Sequence, residues 1–187
     1  MTVLPIKDKK LIQKMIEYLK LHCRRDELLF RMGINTILRV SDLLRLQVRN
    51  LIHENGDFRE YLCLNEQKTS KPRKIKLNRL IRAEVIKYVL HYDLNQDDFI
   101  FFSLRNPAKA LDRVTAYRKL TKAAISVGIE HFGTHSMRKT LAYHIYVKTK
   151  DIGLVMNLLN HTNPRTTLKY IGIDQEEMDQ AYEEFSL

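Results

Sequence analysis

The sequence has few of the features that are typical of disulfide-bonded secreted proteins, zinc-binding domains or membrane-spanning proteins. It has only two cysteines, Cys23 and Cys63, which lie far apart and form no CxxC pair. That argues against a disulfide framework or a zinc ribbon and fits a reducing cytoplasm. No apolar run reaches the roughly 18 residues that span a bilayer, so we expect no membrane partner. Charges also interrupt the apolar positions of the first helical stretch, which argues against a secretory signal peptide.

Acidic residues are outnumbered by basic ones, 22 to 32, which gives a formal net charge of +10 and an isoelectric point of about 9.6. This balance favours a polyanionic partner, nucleic acid first and an anionic membrane surface second. The acidic residues are concentrated at the end of the chain, in DQEEMDQAYEEF at 174–185. A basic body with an acidic, amphipathic end suggests a different partner for each part. The 44% hydrophobic fraction is ample for the core of one domain.

The spacing of apolar residues predicts a mostly helical α+β domain with a small antiparallel sheet. The predicted helices are 8–22, about 25–33, a short one capped by Ser41, 79–91, 106–128, 136–149, 151–160, one that begins at Pro164, and 175–186. The predicted strands are 58–64 and 73–77, joined in a hairpin with its tip near 70–72, and a short buried strand at 99–102. We find no internal repeat, low-complexity linker or domain boundary.

Six residues spread along the chain could bind or act on a phosphate: Arg39, Lys68, His135, Arg138, His161 and Tyr170. His135 and Arg138 are three apart near a predicted helix start, which places them on one face beside free backbone N–H groups. Each residue also has an ordinary structural interpretation. Arg39 could pair with Asp42, Lys68 could be solvated charge, the histidines could be helix caps, and Tyr170 could be a half-buried aromatic. The order of the six residues, rather than any one of them, is the informative feature.

That order resembles the tyrosine recombinase, or phage integrase, family. The first box of the family is an arginine followed by Ser-Glu-Leu at a helix start, and LRVSDLLRL at 38–46 is similar to it. The second box, Thr-His-x-x-Arg, is matched by GTHSMRKTL at 133–141. The third box, Leu-Gly-His and then Thr-x-x-Tyr, is very close to LLNHTNPRTTLKYIGI at 158–173. The hairpin lysine of the family has a counterpart in Lys68 of EQKTSKPRKIKL at 66–77.

The resemblance covers the chain from about 8 to 187, with four departures from the usual pattern. Ile37 and Asn160 stand where the family usually has glycine, Asp42 replaces glutamate, and Lys139 stands where a histidine often follows the second arginine. Glycine positions often need an unusual backbone φ, so the first two bear on local geometry. None of the four removes a side chain that takes part in the chemistry.

The resemblance implies that Tyr170 is a nucleophile. A tyrosine has a pKa of about 10 and attacks only when a phosphate is held in line with its oxygen. Arg39 and Arg138 would stabilise the charge that develops on the non-bridging phosphate oxygens. The product would be a 3′-phosphotyrosyl link and a free 5′-hydroxyl. Because the link keeps the phosphoester energy, a 5′-hydroxyl from another strand could reverse the step without ATP.

The resemblance also gives roles to the remaining residues. His135 would hydrogen-bond the phosphate or accept the tyrosine proton, His161 would donate to a non-bridging oxygen, and Lys68 would protonate the 5′-oxygen leaving group. The arginines would supply the charge that a metal supplies elsewhere, so we expect no cofactor and no metal. His131 and His135 are spaced i, i+4 but have Gly133 between them and no third ligand nearby, which argues against zinc.

The expected domain is the tyrosine recombinase catalytic domain over 1–187, without the N-terminal DNA-clamping domain of most relatives. About seven residues precede the first predicted helix, so the chain is either a minimal recombinase or part of a longer one. Residues 175–187 would be a docking segment, with Met178, Ala181, Tyr182 and Phe185 on one helical stripe.

The expected partners follow from the same resemblance. They are double-stranded DNA, further copies of the chain in a tetrameric assembly on DNA, and a directionality factor. The helix that contains AYRKLTKAA at 116–124 is the candidate to face the major groove. We expect a cytoplasmic, nucleoid-associated protein encoded by a bacterium or a phage.

Two other functions are compatible with the boxes. The first is a non-catalytic DNA-binding module that kept the fold and competes for recombination sites. Retention of all six side chains argues against it. The second is a type IB topoisomerase, which shares the chemistry but exchanges no partners, and the acidic end favours the recombinase over it. The sequence leaves open whether the outcome is integration, excision, inversion or dimer resolution.

Overall fold

Helices dominate the part of the chain that the computed structural model describes, which is residues 3–173 and residue 183. The helices are α1 (Lys9–His22), α2 (Arg24–Thr36), α3 (Val40–Leu43), α4 (Arg79–Tyr92), α5 (Arg113–Ser126), α6 (Thr134–Thr149), α7 (Ile152–Leu159) and α8 (Pro164–Ile171), with a 3-10 turn at Val48–Asn50. The strands are β1 (Tyr61–Asn65), β2 (Pro72–Lys76), β3 (Phe102–Ser103) and β4 (Asn106–Ala110). The mostly helical α+β class predicted from sequence is confirmed.

Short polar side chains define where several helices begin. Asp8, Asn78, Asp112, Asp151 and Asn163 each accept a hydrogen bond from a backbone N–H in the first turn of the helix that follows. Such caps satisfy donors that have no partner inside the helix, and each is worth about 1 kcal/mol. The caps therefore fix the starts of α1, α4, α5, α7 and α8 locally.

Two hydrophobic cores organise the helices. In the larger core α2 packs against α1, α4 and α6, and its fully buried side chains include Leu29 and Phe30. The smaller core lies under α6, α7 and α8 and contains Ala142, Leu159 and Ile171. Because α6, α7 and α8 meet on this second core, the histidine and tyrosine boxes are held by one packing unit.

The strands form two separate antiparallel pairs. β1 pairs with β2 so that Leu62 faces Ile75 and Asn65 faces Pro72. β3 pairs with β4 and has an irregular register at Phe102. The hairpin predicted from 58–64 and 73–77 is confirmed, although β1 begins later, and Pro72 already belongs to β2 rather than to the tip.

The prediction of one helix over 106–128 is wrong. Its first part is β4, an exposed strand that pairs with β3, and the helix begins only after Asp112. Asp112 Oδ1 accepts a hydrogen bond from Thr115 N at 2.9 Å and so sets the true start of the helix. Alanine and lysine at 108–110 favour a helix locally, and the pairing with β3 overrides that preference.

Two smaller predictions also change. Ser41 does not cap α3, since the helix starts at Val40 and the residue in the capping position is Arg39. The strand predicted at 99–102 is only the two-residue β3.

Among the described residues, no helix is both long and apolar enough to cross a membrane. The helix predicted at 175–186 lies outside the described residues, apart from Glu183.

Candidate active site

Arg39 is positioned by an abrupt end to α2. Ile37 ends that helix in the left-handed conformation at φ 55°, and Arg39 then occupies the capping position of α3. Arg39 Nη1 lies 2.8 Å from Oε2 of Glu66, as an ion pair that is not aligned as an N–H···O hydrogen bond. The expected alternative, a pair with Asp42, does not form. Asp42 Oδ1 instead accepts a hydrogen bond from Gln67 N at 2.8 Å and so fixes the hairpin to α3.

Glu66 is a buried carboxylate between two arginines. Its side chain is 1% exposed, and Oε1 accepts a hydrogen bond from Arg73 Nε at 3.0 Å. Thr69 donates to Oε2 at 2.7 Å. Burial acts to raise the pKa of Glu66, but the Thr69 hydroxyl, Arg39 and Arg73 together lower it to about 2. Glu66 is therefore ionised at neutral pH and holds Arg39 against the hairpin.

Lys68 lies on the turn of this hairpin, directly after the segment fixed by Asp42. Its side chain is exposed and has no hydrogen-bond or ion-pair partner among the described residues. It lines an open cleft of about 770 Å³ together with Arg39 and His135. The lysine is thus free to contact a ligand in the same cleft as the first arginine box.

The first two turns of α6 carry the second box. The helix begins after Gly133, whose N–H donates to Ser136 Oγ at 3.1 Å. His135 is exposed at the cleft, whereas Arg138, one turn on, is 3% exposed. Arg138 Nη2 donates to the Leu159 carbonyl at 2.9 Å, and its buried Nε has no partner. Within the described residues Arg138 has no carboxylate at salt-bridge distance.

His161 follows the end of α7, where Asn160 adopts the left-handed conformation at φ 55°. The Thr167 hydroxyl donates to the Asn163 carbonyl at 2.8 Å, so it must accept the hydrogen bond from His161 Nδ1 at 3.1 Å. This fixes the proton of the neutral imidazole on Nδ1. The other ring nitrogen, Nε2, has no partner among the described residues.

Tyr170 lies near the end of α8 with its ring between two groups. The His161 ring is nearly perpendicular to the Tyr170 ring, with the ring centroids 5.0 Å apart, and Lys139 Nζ lies 4.9 Å from the tyrosine centroid. Burial raises the pKa of Tyr170, while Arg138 and Arg39 act to lower it. Both arginines are therefore close enough to the phenol for their charges to act on it.

The same charges act on the two histidines. Although His135 is exposed on its cleft side, partial desolvation by the surrounding protein is the largest cause that lowers its pKa, followed by the charges of Arg138 and Arg113. Burial also lowers the pKa of His161, again with Arg138 as the next cause. With pKa values below the usual 6.5, both imidazoles are neutral at pH 7 in the free protein. Burial lowers the pKa of Arg138 as well, but a guanidinium stays charged at any physiological pH.

The structure thus brings five of the predicted residues, Arg39, His135, Arg138, His161 and Tyr170, into one electrostatic cluster. Lys68 lines the cleft together with Arg39 and His135, whereas Tyr170 does not line it. Three residues that contact the site were not predicted from the sequence: Glu66, Arg73 and Thr167. The only signal for Glu66 was an isolated acid in a basic hairpin. The arrangement can hold a phosphodiester between two guanidinium groups with a phenol and neutral imidazoles beside it.

Comparisons with known proteins agree with this geometry. The model of the phage integrase family matches residues 7–177. The chain is 40% identical over 183 residues to a Bacillus subtilis (strain 168) protein named probable integrase/recombinase YoeC, and the match covers 98% of this chain and 97% of YoeC. It is 27% identical over 177 residues to tyrosine recombinase XerA of Pyrococcus furiosus, covering 94% of this chain and 60% of XerA.

One solved structure with the same fold is the XerH site-specific recombinase, bound to palindromic difH substrate in a post-cleavage complex. The TM-score is 0.75 at 20% sequence identity, and the match covers 95% of this chain and 51% of XerH. The chain therefore spans nearly the whole length of YoeC but only about half to three-fifths of XerH and XerA.

Proposed function

The chain belongs to the phage integrase family, and from that premise we propose that it cuts and rejoins DNA as a tyrosine-type site-specific recombinase. The observation that supports this most strongly is the cluster around Tyr170. The charges of Arg138 and Arg39 act on the Tyr170 phenol, and the cleft beside Arg39 is open to a ligand. A non-catalytic DNA-binding module would have no need for a tyrosine on which the charges of two arginines act.

The first step is attack by the Tyr170 oxygen on a DNA phosphodiester. The bond from phosphorus to the 5′-oxygen breaks as the bond to the tyrosine oxygen forms, leaving a 3′-phosphotyrosyl link. Arg39 and Arg138 stabilise the charge that develops on the non-bridging oxygens through guanidinium N–H groups that Glu66 and the Leu159 carbonyl do not occupy. Neutral His135 accepts the phenol proton, which its lowered pKa permits at pH 7.

The leaving group is a 5′-alkoxide, which departs readily only if it receives a proton. Lys68 is the candidate donor, because it is exposed in the cleft and has no partner among the described residues that would hold it elsewhere. His161 donates from Nε2 to a non-bridging oxygen when its imidazole is protonated, because the proton of the neutral ring is on Nδ1 and directed to Thr167. In the second step a 5′-hydroxyl from another strand attacks the phosphotyrosyl link. The bond to the Tyr170 oxygen breaks, and Lys68 and His135 transfer their protons in the opposite directions.

Double-stranded DNA is the proposed substrate and partner. The net charge of +10 supplies the salt-sensitive, sequence-independent part of the affinity. Exposed Arg113 and Tyr117 of α5 line the same cleft as His135, so α5 is placed to contact DNA beside the scissile phosphate. We further propose a catalytic domain over 1–187, a tetrameric assembly on DNA through residues 175–187, control by a directionality factor, and action on nucleoid DNA in the cytoplasm.

The test of the function is a covalent adduct on a nicked suicide substrate, resolved on a denaturing gel. The wild-type chain should form the adduct, and Tyr170→Phe should bind the same DNA without forming it. Tyr146→Phe, on α6 away from the arginines, is the matched control and should form the adduct normally. Arg138→Ala should lose it, since such charge stabilisation is worth on the order of 3 kcal/mol. An adduct of wild-type intensity from Tyr170→Phe would overturn the assignment.

A further inference from the structure

Residues 3–7 form a strap across α6. Leu4 N donates to the His131 carbonyl at 3.0 Å, just before α6, and Ile6 N donates to Thr140 Oγ1 at 2.8 Å within the helix. The Ile6 carbonyl lies 3.0 Å from His144 Nε2, one turn further. The strap is thus bonded once just before the helix that carries His135 and Arg138 and at two levels along it.

The strap also contacts both ends of the catalytic cluster. At Gly133, which caps α6, an added Cβ would lie 2.8 Å from Val3 Cγ1. At Gly172, which ends α8 at φ 75°, an added Cβ would lie 3.1 Å from Pro5 Cδ. A side chain at Gly133 would require Val3 to shift, and a side chain at Gly172 would crowd Pro5 and would also be strained by the positive φ. The strap therefore lies against the start of the second box and against the turn that follows Tyr170.

Lys139 connects the strap to the tyrosine. Its Nζ donates to the Val3 carbonyl at 2.8 Å and lies 4.9 Å from the centroid of the Tyr170 ring. The residue is 7% exposed, and within the described residues it has no carboxylate partner. An ammonium taken out of water without a counter-ion is costly unless other groups replace its hydration. Here the replacement is one carbonyl and one aromatic face.

We propose that Lys139 is a positioning residue that holds Tyr170 in its attacking position and couples that position to the strap. The inference rests on the proposed function, because it assigns Tyr170 as the nucleophile. The perpendicular His161 ring packs against the Tyr170 ring, and Lys139 Nζ lies over the face of the same ring. Loss of one restraint lets the ring sample other rotamers, so the phenol oxygen is in line with the phosphate less often.

The test compares three substitutions at this position. Lys139→Met fills the buried space without charge or donor, Lys139→Gln keeps a donor for the Val3 carbonyl without charge, and Lys139→Arg keeps both. Lys139→Met and Lys139→Gln should slow adduct formation on bound DNA about tenfold, with DNA affinity changed less than about twofold. Lys139→Arg should recover most of the rate, because a guanidinium also lies well on an aromatic face.

The coupling to the strap has its own readout in hydrogen exchange at the amides of Leu4 and Ile6. Both should exchange faster in Lys139→Met and stay protected in Lys139→Gln and Lys139→Arg. Thr140→Val, which removes the acceptor of the Ile6 amide, should loosen the strap and also slow the adduct. A slow adduct in Lys139→Met with unchanged exchange, or a loose strap in Thr140→Val with a normal adduct rate, would overturn the coupling.

The failure of this inference can be told from failure of the proposed function. If the wild-type chain forms no adduct, the function itself is wrong. If wild type forms it and the Met and Gln variants match or exceed the wild-type rate, Lys139 does not position the nucleophile. A Lys139→Arg rate as low as that of Lys139→Met would equally overturn a role for the cation. Should Lys139→Met fail to fold, the Gln and Arg pair still decides the role of the charge.

Discussion

The carboxylate of Glu66 lies 2.8 Å from Arg39 Nη1, in a side chain that is 1% exposed. The pair joins the first arginine box to the hairpin that presents Lys68. Since Glu66 has a pKa of about 2, the pair is ionic at neutral pH. Arg39 therefore meets DNA already oriented by a buried acid, which lowers the entropy cost of placing its remaining N–H groups on a phosphate.

The first prediction concerns acid stability. The folded pKa of Glu66, about 2, is below its ordinary value of 4.5, so the carboxylate contributes stability that is present above pH 4.5. That stability, about 3 kcal/mol, is lost as the pH falls from 4.5 towards 2. Glu66→Gln should remove this part of the pH dependence. It should also destabilise the fold at pH 7 by about 3 kcal/mol, because Arg39 and Arg73 lose their shared counter-ion.

Urea unfolding between pH 2 and 7 measures this effect. Glu60→Gln is the matched control: Glu60 pairs with Lys76 on the same hairpin, but both side chains are 63% exposed. An exposed pair contributes little, so the Glu60 variant should follow the wild-type curve within about 1 kcal/mol. If Glu66→Gln keeps the wild-type slope between pH 4.5 and 2, the buried pair does not control acid stability.

How well the site can be predicted from the sequence depends on how far apart its contacting residues lie along the chain. The His161-to-Tyr170 segment and the His135–Arg138 pair each lie within one helical unit, so their boxes could be recognised from the chain alone, and the family prediction is confirmed. The Arg39–Glu66 pair forms only when a hairpin docks on α3. Nothing in the local pattern distinguished Glu66 from a solvated acid, and the only ion-pair partner considered for Arg39 was Asp42.

The longest-range contacts were the least predictable. The bond from Lys139 to Val3 joins residues 136 positions apart, and its lysine was seen only as a departure from a usual histidine. β4 was missed for a different reason, because the alanine and lysine at 108–110 favour a helix although the segment pairs with the neighbouring β3. Conversely, the two positions where glycine was expected do adopt left-handed backbone: Ile37 and Asn160 both have φ 55°.

The second prediction follows from Asn160. Asparagine tolerates the left-handed conformation better than alanine, and glycine adopts it freely. Asn160→Ala should therefore lower the free energy of unfolding by about 1 kcal/mol, whereas Asn160→Gly should be neutral or slightly stabilising. Thermal unfolding of the two variants measures the difference. Equal melting temperatures for Ala and Gly would show that the left-handed turn before His161 is not a strained position.

The third prediction is a pH dependence specific to His161. Its Nδ1 proton is directed to Thr167, so Nε2 can donate to a phosphate oxygen only when the imidazole is protonated. Burial and Arg138 lower the pKa of His161 in the free protein. Protonated His161 should therefore accelerate adduct formation below its pKa in the DNA complex. This acceleration should be lost as the pH rises through that pKa. Glutamine donates without titrating and is the matched replacement.

Adduct formation in single turnover, compared between wild type and His161→Gln, isolates this contribution. The ratio of the wild-type rate to the His161→Gln rate should be largest near pH 6 and should fall below 1 by about pH 8, where only the glutamine still donates. Taking the ratio cancels the titration of Tyr170 and His135, which both proteins share. A ratio that stays constant over this range would show that His161 is not a titrating donor.

The fourth prediction concerns residues 175–187, which lie outside the described residues apart from Glu183. The sequence there predicts an acidic helix with Met178, Ala181, Tyr182 and Phe185 on one stripe. Deletion of 175–187 should weaken cooperative binding to paired sites and recombination more than binding to a single site. Gel-shift titrations on one-site and two-site DNA measure both. A truncated chain that unfolds, or that assembles on paired sites like the full chain, would contradict docking.

The last prediction assigns the general acid. If Lys68 protonates the 5′-oxygen, Lys68→Ala should cleave an ordinary substrate roughly 100- to 10,000-fold more slowly than wild type. A 5′-bridging phosphorothiolate substrate replaces that oxygen with sulfur, and a thiolate leaves without a proton. Lys68→Ala should therefore cleave the sulfur substrate at close to the wild-type rate. Rapid-quench cleavage assays on the two substrates measure the rescue.

Lys71 is the matched control for Lys68, because it is an exposed lysine on the same turn that does not line the cleft. Lys71→Ala should behave like wild type on both substrates, apart from weaker binding at raised salt, where phosphate contacts matter most. If Lys68→Ala stays slow on the sulfur substrate, Lys68 binds the phosphate and is not the acid. If Lys71→Ala shows the rescue instead, the hairpin supplies the acid from the other lysine, and the cleft-lining position of Lys68 serves only binding.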